Sequence, residues 1–386
     1  METADAVVIG GGVIGTSIAY QLSKHRKKVV LLEKGDIGAQ TSGACDKAIF
    51  LQSKKPGFPI KLAKESRKIY ENLEVELETS IEFKRAGGMI VIEKEAHLPF
   101  MKGFVKKQNK AGIDVKMLDR KEALAWQPSL SQYIEGATFS KEDAEVNPLL
   151  LTQAFAEAAK RKGVDIRTHT EVKGITVKKG KVTGVKTTND YFATDTVINA
   201  AGPFAAKIAE MAGVRLTIMP RRGVVLITEK MGPTINGNVL CSQYIAAKHL
   251  EGNDETAPPF GIGLSLGQTA SGNLLIGGSR EFNGFTRAVG PEVLSAIAAH
   301  AGRIAPALKN IRIIRSMAGF RPFTGDGLPF IDESSEVKGL ITAAGHEGDG
   351  IALAPITGVL VASLAEGGSE YDDLLKPLKM DRLLEV

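Results

Sequence analysis

Cysteine is scarce in this chain. Only Cys45 and Cys241 occur in 386 residues, far apart and in no CxxC pair. Two thiols cannot supply four ligands, so the chain alone holds neither a cysteine-ligated iron–sulfur cluster nor a cysteine-built zinc site, and no metal is expected. So few thiols also fit a reducing compartment. A long charge-free apolar run is missing too, which excludes a membrane-spanning helix. The first apolar run begins at Ala6 and leaves no room for a signal peptide ahead of it, so the expectation is a cytoplasmic protein, peripheral to a membrane only through a partner. Nor is there an excess of one charge: the formal net charge is +5. The only basic runs are brief, Lys24 to Lys28 and Lys106-Lys107, and read as solvated helix faces rather than a nucleic-acid surface. No repeat or low-complexity segment occurs.

What the chain does have is apolar content, 43% of its residues, and length enough for two domains. Its organising stretch runs from Ala6 to Glu33, AVVIGGGVIGTSIAYQLSKHRKKVVLLE. A short apolar strand leads into Gly10, Gly12 and Gly15 at GxGxxG spacing, followed by Val13, Ile14 and a helical apolar repeat. Gly10 makes the turn, Gly12 lets backbone approach a pyrophosphate, and Gly15 lets helix and strand pack closely. The first-turn N–H groups of the helix then face an anion. A second strand, Val29 to Leu32, ends on Glu33, whose carboxylate accepts from a ribose hydroxyl. Strand, turn, helix, strand and acid in one unit predict a dinucleotide-binding fold.

Next to Glu33, Lys34 opens a segment rich in small residues, including Thr41, Ser42, Gly43 and Ala44, suited to passing close to a bulky ligand. Helices are predicted over Lys61 to Leu77, Leu98 to Ala111, Asp119 to Trp126 and Asn147 to Gly163, the last with Asn147 as cap and Pro148 in its first turn. Residues 171 to 192 read as a meander turning at Lys179-Gly180 and Asn189-Asp190. A buried strand then reaches Ala200-Ala201-Gly202. Between 219 and 319 the strand-like runs MPRRGVVLITEK, GNVLCSQYIAAK, GIGLSLGQ and GNLLIGGSREF, with one helix from Pro291 to Ile304, predict a mainly antiparallel sheet. The section from Ile313 returns to the nucleotide domain and ends in AGHEGDGIALAPITG, a glycine turn into a helix.

Four motifs in order carry a resemblance: VVIGGGVIGTSIAYQL with Glu33; Thr41 to Lys47; TDTVINAAGPFAAKIAEMAG; and AGFRPFTGDGLPFID followed by AGHEGDGIALAPITG. The chain resembles the flavin-dependent D-amino-acid oxidase family over nearly its whole length, in the branch of glycine oxidase, sarcosine oxidase and dye-linked proline dehydrogenase. The resemblance implies an α/β fold with FAD in a discontinuous Rossmann-type domain, 1–80, 145–215 and 320–386. A mainly antiparallel substrate domain, 81–144 and 216–319, completes it. Gly10, Gly12, Val13, Ile14, Gly15, Glu33, Lys34, Thr41 to Ala44, Val172 and Ala200 to Gly202 would hold the cofactor. Gly345, His346, Glu347, Gly348, Gly350 and Ile351 would approach the flavin.

Arg321 corresponds to the family's carboxylate-gripping arginine, a role its planar, permanently charged guanidinium suits, with an ion pair to Asp326 as the alternative. Of Arg221 and Arg222, one is expected to pair structurally. Lys47 is a second catalytic candidate because its charge beside a flavin tunes oxygen activation; pairing of Asp46 and Lys47 with each other or with the loop is the alternative. Cys45 reads as a packing residue. Tyr244 and Gln243 read as pocket groups or ordinary strand residues.

The chain departs from its relatives in having Gly348 where glycine oxidases carry a second arginine. It also lacks a cysteine between Ile313 and Asp326 and a histidine in Thr41 to Lys47, so FAD is expected to be noncovalent. The implied reaction is oxidation of an amino acid or N-substituted amino acid to its imine. A hydroxy-acid or glycerol-3-phosphate dehydrogenase, or a flavin-binding subunit of a larger complex, are the alternatives. A partner subunit, a separate electron acceptor and a homo-oligomer are left open.

Overall fold

The computed structural model describes residues 2–249 and 259–383. Six strands form one sheet in the spatial order Phe330–Glu333, Leu340–Ala344, Val197–Asn199, Ala6–Ile9, Val29–Leu32 and Asp165–Arg167. All neighbours are parallel except the first pair. Ala6–Ile9 and Val29–Leu32 are buried along their length, as strands covered on both faces must be.

The helix Val13–Ser23 packs between Pro148–Arg161 and Gly350–Ala365. Gly358 allows close crossing, since a Cβ there would lie 2.4 Å from Ser17 Oγ. Pro355 inside the last helix lacks the N–H that would bond the carbonyl four residues earlier, at Ile351. The buried Tyr70 hydroxyl donates to that carbonyl instead, at 2.6 Å. A helix with an internal proline is therefore held by its neighbour Phe58–Glu76.

The second large sheet has eight strands: Ile313–Phe323, Met219–Lys230, Asn273–Gly277, Ser265–Gln268, Asn238–Cys241, Gly88–Ile92, Gly136–Ser140 and Lys116–Leu118. Every pair is antiparallel except Asn238–Cys241 with Gly88–Ile92. It has its own core of Val224, Leu226, Val239, Leu266, Leu274 and Ile276 against the helix Pro291–Ile304. The predicted meander forms from Val172–Lys178, Lys181–Thr187 and Tyr191–Ala193, with Glu2–Thr3 added in parallel.

Two expectations need correction. The run GNVLCSQYIAAK is a strand only to Cys241, and Ser242–His249 is a helix, consistent with the strong helix formers Ala246, Ala247 and Lys248. Tyr244 and Gln243 are accordingly helical. The strand Ile313–Phe323 belongs to the eight-stranded sheet rather than to the nucleotide sheet, because its whole length pairs with Met219–Lys230. No helix among the described residues is long and apolar enough to cross a membrane.

Candidate active site

The first glycine turn is built by close approach. Gly10 has φ of +114°, and a Cβ on it would lie 2.5 Å from the Ala200 carbonyl oxygen; one on Gly15 would lie 1.9 Å from the Gly10 carbonyl oxygen. Neither position tolerates a side chain. The helix that follows has no side-chain cap at Gly12, although Val13 N–H donates to Ser42 Oγ at 3.0 Å. Buried Glu33 accepts from the Gly11 and Gly35 amides, both at 2.7 Å, which fixes its carboxylate beside the turn.

These groups open on a cavity of about 1980 Å³ counted to its mouth. Every residue expected to hold the cofactor lines it except Gly15, Gly43 and Gly345, which lie behind its wall as close-packing positions. The adenosine end expected at Glu33, Lys34 and Val172 and the flavin end expected at Ala44 and at His346 to Ile351 thus share one cavity. Thr41 donates to the Phe320 carbonyl at 2.6 Å, and a Cβ on Gly319 would lie 2.9 Å from the Ala44 carbonyl oxygen. The small-residue segment is therefore clamped against the strand that carries Arg321.

At the other end, Gly350–Ala365 begins at Asp349 without a side-chain cap; Asp349 instead pairs with Lys54 at 2.5 Å. The uncapped N–H groups of Gly350 and Ile351 leave a positive helix end at the cavity wall. Buried His346 places Nε2 3.0 Å from Thr357 Oγ1, and that hydroxyl donates to the Leu353 carbonyl at 2.9 Å. Nε2 must then carry the hydrogen. Burial pulls the imidazole down to about 3, against a small opposing effect of Asp349, so His346 is neutral and a poor base.

Arg321 lines the cavity, half-buried, opposite Arg221 on the neighbouring strand. Its guanidinium lies over Gly223, where a Cβ would come within 2.2 Å of Nη1, and Nη1 donates to the Ser279 carbonyl at 3.1 Å. Among the described residues it makes no ion pair. The alternative partner Asp326 is taken by Arg382, at 2.7 Å. Burial draws Arg321 below the ordinary guanidinium value, Tyr244 opposes the shift, and the charge of Arg280 adds to it.

Of the two neighbouring arginines, both are paired: Arg222 with Glu281 at 2.7 Å, and Arg221 with Glu347. Glu347, expected at the flavin, thus turns its carboxylate to Arg221. Lys47 is also corrected. Its ammonium pairs with Glu145 at 2.9 Å and donates to the Gln268 carbonyl, away from the cavity it was expected to enter. Asp46 accepts from Ser265 Oγ rather than pairing with Lys47. Cys45 reaches the cavity wall, but burial pushes its thiol well above the ordinary value, in keeping with a packing role.

Gly277, Gly278, Ser279 and Arg280 also line the cavity and were not anticipated. The glycine pair in GNLLIGGSREF was their one signal in the sequence. Tyr244 enters the wall from the helix Ser242–His249, with the Arg280 guanidinium 3.7 Å from its ring centre. Elsewhere, Glu93, Cys241 and His300 bring potential metal-ligand atoms within 4.8 Å of one another. Glu93 already pairs with His300 at 2.8 Å and Arg303 at 3.0 Å.

The family model described as FAD dependent oxidoreductase (DAO) matches residues 5–364. The chain belongs to this family. Within it, the chain is 31% identical to glycine oxidase of Geobacillus kaustophilus over 96% of its own length and 95% of that protein. It is 30% identical to a glycerol 3-phosphate dehydrogenase of Caloramator mitchellensis over 93% of this chain and 73% of that one. The crystal structure of L-proline dehydrogenase from P. horikoshii superposes with a TM-score of 0.88 at 28% identity, covering 100% of this chain and 98% of the other. This member of the DAO family is an FAD-dependent oxidoreductase, and the glycine-lined cradle with its two uncapped helix ends fits that cofactor.

Proposed function

We propose that the protein oxidises a small amino acid or N-substituted amino acid to its imine. The observation that carries this reading is Arg321, a half-buried guanidinium on the cavity wall with no ion pair among the described residues. A charge so placed is costly without a counter-ion, and a substrate carboxylate supplies one in the bidentate geometry that guanidinium favours.

Gly10, Gly12 and the first turn of Val13–Ser23 would hold the cofactor's pyrophosphate, Glu33 its ribose, and Ala44 with His346 to Ile351 its ring. When bound, FAD supplies the two-electron acceptor. The protein's own contribution is orientation: Arg321 fixes the carboxylate, and Gly223 keeps the guanidinium flat against its strand.

The neutral state of His346 supports amines over hydroxy compounds. A neutral amine gives up hydride from its α-carbon as the nitrogen lone pair forms the C=N bond, and the iminium then releases a proton to water on hydrolysis. A hydroxyl must also lose its proton during oxidation, and among the described residues the only imidazole on the cavity wall is held near 3. That difference, together with Arg321, supports the amine.

The test is anaerobic. FAD-loaded protein is mixed with glycine, sarcosine, L- and D-proline, 2-hydroxyglutarate and glycerol 3-phosphate while flavin absorbance is followed. Bleaching by an amine is expected, and the rate of recovery in air then separates oxygen from another acceptor. Bleaching by a hydroxy acid or glycerol 3-phosphate alone would replace the reading.

A further inference from the structure

One carboxylate does not satisfy the charge in this cavity. Arg280 and Arg321 stand close enough to Arg221 to depress its charged form, and Arg280 acts on Arg321 in the same way. Burial first, then Arg280 and Arg321, brings Arg221 down to about 9. Arg221 keeps one buried Nε without a hydrogen-bond partner but has a counter-ion: it pairs with Glu347 and packs over the rings of Phe323 and Phe282 at 4.6 and 5.9 Å. Arg280 has none among the described residues. Its guanidinium lies over the Tyr244 ring, 3.7 Å from the ring centre, and its only hydrogen bond to a described residue is a long one, 3.4 Å to the Tyr244 carbonyl. Its Nε and second Nη are buried with no hydrogen-bond partner.

Unpartnered buried N–H groups on a charged side chain are expensive, and because Arg280 forms part of the cavity wall, an anion bound beside its guanidinium offsets that cost through its charge. Tyr244 separates the two cations. Arg280 covers its ring, while Gly348 leaves room on the Arg321 side, where even a Cβ would make only ordinary contacts, 3.6 Å to Arg321 Nε and 4.0 Å to the Tyr244 hydroxyl. A substrate held by Arg321 can therefore present a second anion to Arg280 around the same tyrosine.

We infer that the substrate is a diacid: the carboxylate of the reacting amino acid is taken by Arg321, and a second carboxylate, on the nitrogen substituent or the side chain, is taken by Arg280. This deepens the amine reading and rests on it. Arg280 is thereby a specificity residue, and Arg221, neutralised by Glu347, supports it without carrying a ligand.

Sarcosine and iminodiacetate are a matched pair for the test, both N-substituted glycines that differ by one carboxylate. In anaerobic reduction of the FAD-loaded protein, iminodiacetate is expected to exceed sarcosine by about 30- to 100-fold in rate over apparent Kd, the range for a charge-assisted hydrogen-bonded pair. Arg280→Gln should collapse that ratio to within a few-fold, and Arg280→Lys should restore part of it. Calorimetry gives a readout without turnover: glutarate should bind the FAD-loaded protein at least 30-fold more tightly than butyrate. Equal reduction by the two amines with equal binding of the two acids overturns the inference while leaving amine oxidation standing. Reduction by glycerol 3-phosphate or 2-hydroxyglutarate with neither amine active overturns the amine reading itself. Should Arg280→Gln not fold, the two wild-type comparisons still decide.

Discussion

At the scale of single residues, the site depends on a glycine as much as on an arginine. Gly223 is the floor on which Arg321 lies, and a methyl group there would sit 2.2 Å from Nη1 and 2.6 Å from Cζ. Those atoms end a flexible side chain, so Gly223→Ala should move the guanidinium rather than unfold the sheet. The expected result is a KM for the amine substrate raised about 10- to 100-fold, with a smaller fall in kcat and a melting temperature close to wild type. Steady-state kinetics alongside a thermal melt read this directly, and an unchanged KM would show that Arg321 does not hold the substrate. Arg321 was singled out in the sequence by the resemblance of AGFRPFTGDGLP to the family's arginine motif and by the match of a planar guanidinium to a carboxylate. Arg280 and the withdrawal of Lys47 were not, because each is decided by partners distant in the chain: Tyr244 stacks on one, and Glu145 captures the other.

At the scale of elements, a buried carboxyl beside the short strand pair Ala48–Ile49 and Ala144–Glu145 ties that part of the chain to the eight-stranded sheet. Asp143 accepts from the Leu51 and Gln52 amides and from the Gln52 side chain, at 2.6, 3.2 and 2.5 Å. Gln52 in turn donates to the Gly88 carbonyl and accepts from Thr138, on two strands of the eight-stranded sheet. Burial raises Asp143 to about 7 despite these bonds. Its ordinary value is near 4, so between about pH 4 and 7 the folded state binds a proton that the unfolded state has released. Stability therefore falls as pH rises through that window, by an amount on the order of 4 kcal/mol, and levels off above it. Denaturant melts from pH 4.5 to 8 should show the slope, and Asp143→Asn should flatten it. The same slope in both proteins would place its origin elsewhere. Local pattern gave most of the elements themselves: Asn147 caps its helix by accepting from the Leu149 and Leu150 amides, as Asn-Pro suggests. The helix at Ser242–His249 was missed because no glycine or proline separates it from the preceding strand. The Asp143 network was invisible for another reason, since its members lie as much as 92 residues apart.

At the scale of the whole molecule, a single cavity draws its wall from Ile9 to Ile351 and from both large sheets. The cofactor therefore binds a surface that exists only when the chain is folded as a unit, and its binding free energy adds to folding stability. At 100-fold excess over its Kd the gain is about 2.7 kcal/mol, or roughly 3 °C for a chain of this size. Apoprotein titrated with FAD should show a melting temperature that climbs with the logarithm of free FAD. FMN makes the control sharper. It can fill the end lined by Ala44 and His346 to Ile351, but it has no adenosine to meet Glu33, Lys34 and Val172. Its shift at equal concentration should be less than half as large. An FMN shift equal to that of FAD would mean that the glycine turn and Glu33, however well formed, do not contribute to cofactor affinity.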